Sequence, residues 1–448
     1  MDVIQAVSAS LQESLGEELD RLARDCQLVQ RQRVFTGRTL LLMIVATLLR
    51  KPDACWADFH LTAAQLGLGL SQTAVEKRFA AGQPLVDFFR KALERALQKT
   101  VAAQASSAAL FQRFTAVLIG DASTIALPDE LADLFKGCGG SEGASRAALK
   151  LQVLWDLKTG KLAQLHVEPG KASDTKSPVA QSDEVQAGDL VVCDLGYFDL
   201  SRFAALHAKK AKFISRLLFG TEVYDHSDGK PLNLLARLRR QPAGLLLDQM
   251  ILLGAAARLC CRLVAIRAPE EAANRRRQQA REKAAKKGRA PTAEYLELLG
   301  WSLFVTNCTG EELTWKAVVV LYRARWQIEL LFKLWKSHNR LAKQREGAAA
   351  LEVLAVFYAK LLGVVLQHWI LVATAWQMAG RSLTKAARAL AEVVKEILLA
   401  LGDSATLEAA LSRLRDVIEN LGGTTDRKKD PSHAQLIEDP ELLDWSCS

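Results

Sequence analysis

The stretch LYRARWQIELLFKLWK, from Leu321 to Lys336, has the composition of one α-helix. It contains no glycine or proline, and residues with high helix propensity dominate it. At about 100° per residue, one face of such a helix is polar and the opposite face is apolar. The polar face carries Tyr322, Arg325, Glu329 and Lys336, with Trp326 at its border. The apolar face carries Ala324, Ile328, Leu331, Leu334 and Trp335. The pattern predicts a helix that packs on a core and presents a carboxylate flanked by cations.

Two interpretations of this polar face are open from the residues alone. A carboxylate beside cations on a helix fixed to a core suits the binding of a metal ion next to phosphates. The alternative is a solvated face stabilised by helical ion pairs. Arg325 and Glu329 are four residues apart, and so are Glu329 and Lys333.

The spacing Y-x2-R-x3-E-x6-K, filled by Tyr322, Arg325, Glu329 and Lys336, resembles the signature of the IS-four family of bacterial insertion-sequence DDE transposases. The pattern is long, so chance matches should be rare. The resemblance extends over roughly residues 110 to 340 and implies an RNase H-like catalytic core with three acidic residues. One departure is Leu195, which stands where many relatives have a basic residue.

Two aspartates end strand-like runs upstream of this helix. An apolar run in FTAVLIGDAST ends at Asp121, and GDLVVCDLGYFDL repeats the pattern at Asp194. Between them, AALKLQVLWDL and KLAQLHVE are joined by the turn Lys158-Thr159-Gly160 and predict a β-hairpin. KFISRLLF predicts a further strand. This order is that of an RNase H-like core, whose strand ends meet at one sheet edge. For either aspartate alone, a helix N-cap or a turn residue is the alternative.

The resemblance implies that Asp121, Asp194 and Glu329 are the catalytic residues and hold two Mg2+ or Mn2+ ions, with Asp121 bridging both. Two such ions can activate the attacking group and stabilise the leaving oxygen of a phosphodiester. The resemblance also implies nicking of DNA, hairpin formation, hairpin hydrolysis and strand transfer into target DNA. Around the scissile bond, the expected DNA contacts are Tyr322, Arg325, Trp326, Lys333 and Lys336.

About 134 residues separate Asp194 from Glu329, which predicts an inserted, β-rich subdomain. The resemblance places Trp301 where a tryptophan stacks on a flipped base, and Arg216 where an arginine contacts backbone phosphate. Plain packing in a strand is the alternative for Trp301. The basic segment from Arg275 to Arg289 is either a solvated helix or disordered arm, or an element that contacts phosphates.

The first 108 residues show helical periodicity without strand-like alternation. Within them, Leu61 to Phe79 resembles a helix-turn-helix, with Ser71 as N-cap and Val75 facing inward. A generic helical hairpin is the alternative. In the helix-turn-helix interpretation, the residues facing DNA are Gln72, Thr73, Lys77 and Arg78.

The remaining features bound the class of protein. A net charge of +9 over 448 residues is modest, and the eight cysteines form no C-x2-C pair. We therefore expect neither a zinc site nor a disulfide framework. The expected environment is a reducing cytoplasm. The N-terminus has no signal-peptide pattern, and Leu361 to Ala379 is interrupted by Gln367 and His368, which favours a buried helix over a membrane span.

The predicted class is α/β multidomain, with an RNase H-like core, a β-rich insertion and all-α flanks. The predicted divisions are a helical DNA-binding domain (1–108), the first core part (109–218), the insertion (219–310), the second core part with the signature helix (311–346), a C-terminal helical region suited to dimerisation (347–424) and a flexible acidic tail (425–448).

Expected partners are double-stranded DNA, as terminal inverted repeats and target, and a second copy of the chain, with no membrane. The expected location is the cytoplasm, at the nucleoid.

Two other activities fit the same core. A domesticated or defective copy would bind DNA as a regulator, although such a copy has no reason to retain three acidic residues. A structure-selective nuclease would explain a metal site but not Trp301, the insertion or an end-binding N-terminal domain.

Overall fold

The computed structural model describes residues 2–30, 35–139, 145–181, 183–241, 246–345, 347–378, 380–421 and 431–445. These residues form two compact units. Unit 1 contains those within Met1–Ser106, Ala122–Ala172 and Gln327–Lys428. Unit 2 contains those within Ser107–Asp121, Ser173–Trp326 and Lys429–Ser448.

The helices of the described residues are α1 (Val3–Ser14), α2 (Glu18–Asp25), α3 (Gly37–Arg50), α4 (Trp56–Gln65), α5 (Gln72–Phe79), α6 (Gln83–Leu97), α7 (Leu200–Ala208), α8 (Leu234–Arg239), α9 (Glu270–Ala285), α10 (Ala293–Leu298), α11 (Trp315–Ala324), α12 (Trp326–Lys333), α13 (Ala350–Thr374), α14 (Leu383–Leu399), α15 (Ser404–Asn420) and α16 (His433–Glu438). The strands are β1 (Val117–Leu127), β2 (Ala147–Asp156), β3 (Leu162–Pro169), β4 (Leu190–Cys193), β5 (Lys212–Arg216), β6 (Val223–Asp225), β7 (Leu246–Leu253), β8 (Leu259–Arg267) and β9 (Trp301–Thr306). The α/β class predicted from the sequence is confirmed at this level.

Unit 1 is mainly helical and is built around α13. This helix is long and apolar enough to cross a membrane, the one such helix in the described part of the chain, yet most of it is buried inside the protein. It packs against α3 and α6, so the sequence-based prediction of a buried helix is confirmed. α14 and α15 complete the C-terminal helices.

The predicted hairpin is present, and its turn is fixed to α13. β2 and β3 pair antiparallel, and the backbone N–H of Gly160 bonds to the Asp156 carbonyl at 2.8 Å. A ring nitrogen of His368, on α13, lies 2.7 Å from the Gly160 carbonyl oxygen. Gly160 has a φ of +77°, and an added Cβ would come within 2.7 Å of the Trp376 ring. A side chain is therefore excluded at Gly160 both by backbone conformation and by space.

In the N-terminal region, α4 and α5 form the predicted pair of helices. The Ser71 side chain accepts from the Ala74 N–H at 3.2 Å, so the predicted N-cap is confirmed, and Val75 is fully buried as expected. The residue with a left-handed backbone in the connection between α4 and α5 is Gly67, with a φ of +74°.

Unit 2 contains a mixed sheet whose strand order is β1, β4, β5, β9, β8, β7 and β6. β1, β4 and β5 are parallel neighbours, and the pairings from β5 to β6 are antiparallel. The strand-like runs of the predicted insertion form β7, β8 and β9. Along the chain, α8 precedes β7, and α9 and α10 lie between β8 and β9.

Two predicted element boundaries are wrong. β1 does not end at Asp121 but continues to Leu127, beyond Gly120, the last residue that pairs with β4, and its other neighbour in the strand order is β2. The stretch from Leu321 is not one regular helix. The Arg325 N–H bonds to the Tyr322 carbonyl, three residues back, which separates α11 from α12. The last residues, Leu334–His338, form a π-helical turn.

The apolar face predicted for this stretch is confirmed despite these breaks. Its members are at most 4% exposed: Ala324, Ile328, Leu331, Leu334 and Trp335. The core therefore fixes which side of the segment is polar, even where the hydrogen-bond pattern changes.

The predicted flexible tail is wrong for residues 431–445, while residues 425–430 and 446–448 lie outside the described residues. α16 packs on α11, and Leu436 and Leu443 are buried. The indole N–H of Trp445 donates to the Arg267 carbonyl at 2.6 Å, and the Arg323 guanidinium lies 5.3 Å from the centre of that ring. Two leucines and one tryptophan supply enough apolar contact to order a segment whose composition is acidic.

We predict that His433→Gln makes the fold less sensitive to acid. Burial, with the nearby charge of Arg323, lowers the pKa of His433 to about 4, whereas an exposed histidine titrates near ~6.5. The unfolded chain therefore binds a proton that the folded chain does not as the pH falls from ~6.5 towards 4, and stability present above this window is lost within it. Thermal denaturation at pH 7 and pH 5 should show a drop in Tm that is smaller by about 2–4 °C in the variant. The exposed His226→Gln is the control, and equal drops in wild type and His433→Gln would contradict the prediction.

Candidate active site

The two predicted aspartates directly follow the paired part of two neighbouring parallel strands in unit 2. The paired part of β1 and β4 ends at Gly120 and Cys193, which are partners in the register. Asp121 is the next residue of β1, and Asp194 is the first residue after β4. The strand residues before them are buried, so the apolar runs VLIG and LVVC fix the position of the two carboxylates that follow. The predicted convergence of these two residues is therefore present.

The guanidinium of Arg325 lies between these two carboxylates. Its Nη1 is 3.9 Å from Asp121 Oδ2, and its Nε is 3.5 Å from Asp194 Oδ1. The exposed fraction of the side chain is 17% for Arg325, 21% for Asp121 and 38% for Asp194. Partial burial weakens solvent screening, so each charge strongly influences the others. Arg325 thereby offsets the repulsion between the two aspartates.

Tyr322, one turn before Arg325, is part of the same group of side chains. Its ring packs on Phe304 with 5.1 Å between ring centres. Burial raises the pKa of Tyr322 to about 12, and the negative charge of Asp194 acts in the same direction, while Arg325 and Arg216 oppose it. The phenol therefore stays protonated at neutral pH and is able to donate a hydrogen bond.

Asp174 lies beside Asp194, although no sequence pattern selected it. A Cβ added at Gly196 would meet Asp174 Oδ2 at 3.5 Å and Asp194 Oδ2 at 4.0 Å, so Gly196 leaves space between the two carboxylates. Asp174 follows a polar connection and begins a single 3-10 turn, Asp174–Lys176, instead of ending an apolar strand. A search for carboxylates at strand ends therefore misses it.

Glu329, Lys333 and Lys336 belong to unit 1. Glu329 is half-buried and Lys333 is exposed. The Lys336 ammonium donates to the Thr124 carbonyl at 2.8 Å, and burial lowers the pKa of this lysine. Within the described ranges, no group of three His, Cys, Asp or Glu side chains is placed to hold a metal ion.

The two predicted tryptophans differ in exposure. Trp326 is 56% exposed at the start of α12, whereas Trp301 is half-buried at the start of β9. The Trp301 carbonyl accepts from Arg276 at 3.3 Å. Arg216 ends β5 and pairs in the register with Phe304 of the strand that Trp301 begins.

Of the predicted DNA contacts on α5, Arg78 is engaged by residues outside its own helix. The Arg78 guanidinium donates to the Leu28 carbonyl at 3.2 Å and lies 5.1 Å from the centre of the Phe35 ring. Gln72, Thr73 and Lys77 are exposed, and the Gln72 amide donates to Glu76 at 2.8 Å.

Comparison with known proteins identifies the class. A family model described as "Transposase DDE domain" matches residues 112–362, which is more than half of the chain. The transposase for insertion sequence element IS231F of Bacillus thuringiensis subsp. israelensis is 29% identical over 373 residues, covering 78% of this chain and 76% of that protein. The transposase for IS1151 of Clostridium perfringens is 24% identical, covering 82% and 80%. The transposase for IS421 of Escherichia coli is 26% identical, covering 75% and 86%.

These matches confirm the resemblance found in the Y-x2-R-x3-E-x6-K spacing, and membership in the family implies dependence on a divalent metal. The chain belongs to the bacterial DDE transposases, enzymes that cleave DNA and transfer its strands.

Proposed function

We propose that this chain binds the ends of its own insertion sequence, cleaves them with two divalent ions and joins them to target DNA. The observation that carries the proposal is the placement of Arg325 between Asp121 and Asp194, which directly follow the paired part of two parallel strands. A cation set among carboxylates at a sheet edge suits a site that handles both metal ions and phosphates.

We infer that the catalytic core is RNase H-like. Its support is the antiparallel pairing of β2 with β3 and the parallel pairing of β1 with β4 and of β4 with β5. This is the order of strand, hairpin, strand, helix and strand that the sequence predicted, with α7 as the helix.

The residues present fit a divalent ion. Carboxylate oxygens such as those of Asp121 and Asp194 are the ligands that Mg2+ and Mn2+ prefer. Glu329 is the proposed third ligand, on the support of its place in the signature, four residues after Arg325. When bound, such ions activate water and offset the charge that develops at the phosphate.

The chain's own residues orient the DNA. Arg325 presents a planar set of N–H donors suited to phosphate oxygens, and the protonated Tyr322 hydroxyl supplies another donor. Arg216 adds a cation on the neighbouring strand end. We propose that Lys333, Lys336 and Trp326 extend these contacts along the strand being cut.

We further propose that cleavage proceeds through hairpin ends, with Trp301 stacking on a flipped base. Its half-buried position at the start of β9 supports this role, because stacking on a base needs only one face of an aromatic ring. Residues 1–108 would recognise the terminal inverted repeats through Gln72, Lys77 and Arg78, and residues 347–424 would form a homodimer in the DNA complex. The proposed location is the cytoplasm, at the nucleoid.

The direct test uses a duplex carrying the inverted repeats that flank the coding sequence, together with Mg2+ or Mn2+. Nicked, hairpin and joined products would support the proposal. DNA binding without cleavage would favour a regulator, and cleavage without joining would favour a nuclease.

We predict that divalent ions stabilise the wild-type fold through Asp194. A ligand that binds only the folded state raises its stability in proportion to the logarithm of its concentration. Tm in saturating MgCl2 or MnCl2, measured against EDTA, should rise by about 2–4 °C in wild type and less in Asp194→Asn. The control is Asp183→Asn, which removes an exposed carboxylate and should leave the rise intact. The same rise in Asp194→Asn as in wild type would remove Asp194 from the proposed site.

Glu329→Gln is expected to abolish cleavage while sparing DNA binding. The substitution removes the charge that a metal ligand needs but leaves the phosphate contacts in place. Cleavage should fall by at least about 10²- to 10³-fold, the scale of losing one electrostatic contact to a transition state. DNA affinity should stay within about twofold, a change below 0.5 kcal/mol. Glu392→Gln, at an exposed glutamate of α14, is the matched control. Equal losses of binding and cleavage would show that Glu329 is structural.

For Trp301→Ala, we expect slower hairpin formation with little change in the first nick, because only the later step needs a flipped base. Single-turnover assays that resolve both products give the two rates, and a loss of about tenfold in the second step alone matches one lost base–aromatic stack. Trp301→Phe should restore most of the rate. Equal slowing of both steps would mean that the Trp301 indole contributes only to the packing of β9.

A further inference from the structure

The helix α9 has two faces with different partners. On its inner face, Ala273 is fully buried, and the Arg276 guanidinium donates to the Trp301 carbonyl at 3.3 Å and to the Ser302 hydroxyl at 3.2 Å. Arg277 donates to the Leu296 carbonyl at 3.1 Å. These contacts fix α9 on the first residues of β9 and on α10, so the basic segment here is an anchored helix and not a disordered arm.

The positive charge of α9 is concentrated in its C-terminal half. In the first half, Arg275 pairs with Glu271 at 3.3 Å and Arg277 pairs with Glu270 at 2.9 Å. From residue 281 onward the single acidic residue is Glu282, which accepts from the Gln278 amide at 3.0 Å. Five cations lie at the end of α9 and in the turn that follows it. They are all exposed, and none forms an ion pair with a described residue: Arg281, Lys283, Lys286, Lys287 and Arg289.

The backbone holds these cations in place. Gly288 has a φ of +63°, and the Arg289 N–H bonds to the Ala284 carbonyl at 3.0 Å, which closes the helix with the C-terminal cap that glycine favours. Cations near a helix C-terminus also interact favourably with the helix dipole, but that effect is confined to the last turn. One or two cations would be enough for this interaction with the helix dipole. Arg281 precedes that turn and Arg289 lies beyond the helix, so the dipole does not account for the whole set.

We propose that these exposed cations, named here the α9 basic surface, bind the phosphate backbone of double-stranded DNA without reading its sequence. Four of them, Arg281, Lys283, Lys286 and Lys287, fall within seven consecutive residues at the end of α9 and in the turn after it, with Glu282 as the acidic residue among them. Such a local excess of positive charge suits duplex DNA, which carries one phosphate charge per ~1.7 Å of its axis. Lysine predominates among these cations, and as a point charge it positions phosphates and does not read base edges.

The contacts that anchor α9 indicate which part of the DNA the α9 basic surface binds. Arg276 joins α9 to the carbonyl of Trp301, so the α9 basic surface and the strand start at Trp301 belong to one fixed element of unit 2. The duplex bound there is the one whose flipped base Trp301 is proposed to stack on. The assignment of this duplex to the end of the insertion sequence rests on the proposed function, whereas the binding of duplex DNA by the α9 basic surface does not.

The test compares two triple variants that lose the same charge. Lys283→Gln, Lys286→Gln and Lys287→Gln remove three cations of the α9 basic surface. Lys210→Gln, Lys230→Gln and Arg240→Gln remove three exposed cations elsewhere in unit 2. The dissociation constant of each protein for a 30-base-pair duplex of arbitrary sequence is measured by fluorescence anisotropy in EDTA, over a range of KCl concentrations. Circular dichroism checks that helix content is unchanged.

Each phosphate contact contributes about 0.9 to the slope of log K against log salt. We expect the α9 variant to lose between about 2 and 3 from the magnitude of this slope, and to bind more weakly at low salt. The control variant should change the slope by less than about 1. An unchanged slope in the α9 variant, or an equal change in both variants, would overturn the proposal. Because the assay contains no divalent ion, a chain that fails to cleave DNA would still give a clear answer.

Discussion

The contact of one guanidinium with two carboxylates is the constraint on which the candidate active site depends. Parallel pairing of β1 with β4 brings Asp121 and Asp194 to the same edge, and two nearby carboxylates repel when their surroundings exclude water. Arg325 lies 3.9 Å from the first and 3.5 Å from the second. The sheet can therefore present both acidic groups at one edge with a cation between them that offsets their mutual repulsion.

Several contacts in unit 2 fix the helix that delivers Arg325. Arg262 of β8 is 4% exposed and forms two hydrogen bonds to Asp248 of β7, at 2.6 and 2.5 Å. Its Nη1 donates to the carbonyls of Thr309 and Leu313, at 3.1 and 2.6 Å, just before α11 begins. A buried arginine needs all these partners, since an unpaired charge there would be costly. The insertion strands thereby determine where α11 starts, and α16 packs along the same helix.

Local patterns predicted much of the fold and of the site. The strands before Asp121 and Asp194, the hairpin turn at Gly160 and the N-cap at Ser71 each depend on neighbouring residues, and each is present. The end of β1 was not predictable, because Leu127 is reached only when the strand finds partners outside its own sequence. The break at Arg325 was not predictable either, because no residue in the segment disfavours a helix. The roles of Asp174 and Arg262 depend on contacts between residues far apart in the sequence, so a pattern along the chain carries no signal for them.

The geometry of the central contact explains why an arginine suits position 325 better than a lysine. The Nε and Nη1 atoms of one planar group face different carboxylates, so a single side chain spans two acceptors on two strands. A lysine ammonium is a compact charge and would approach one carboxylate or lie loosely between them. The guanidinium also carries further N–H donors in the same plane, and these remain suited to phosphate oxygens. We propose that the same residue offsets the repulsion between the two carboxylates before DNA arrives and contacts the DNA backbone once it is bound.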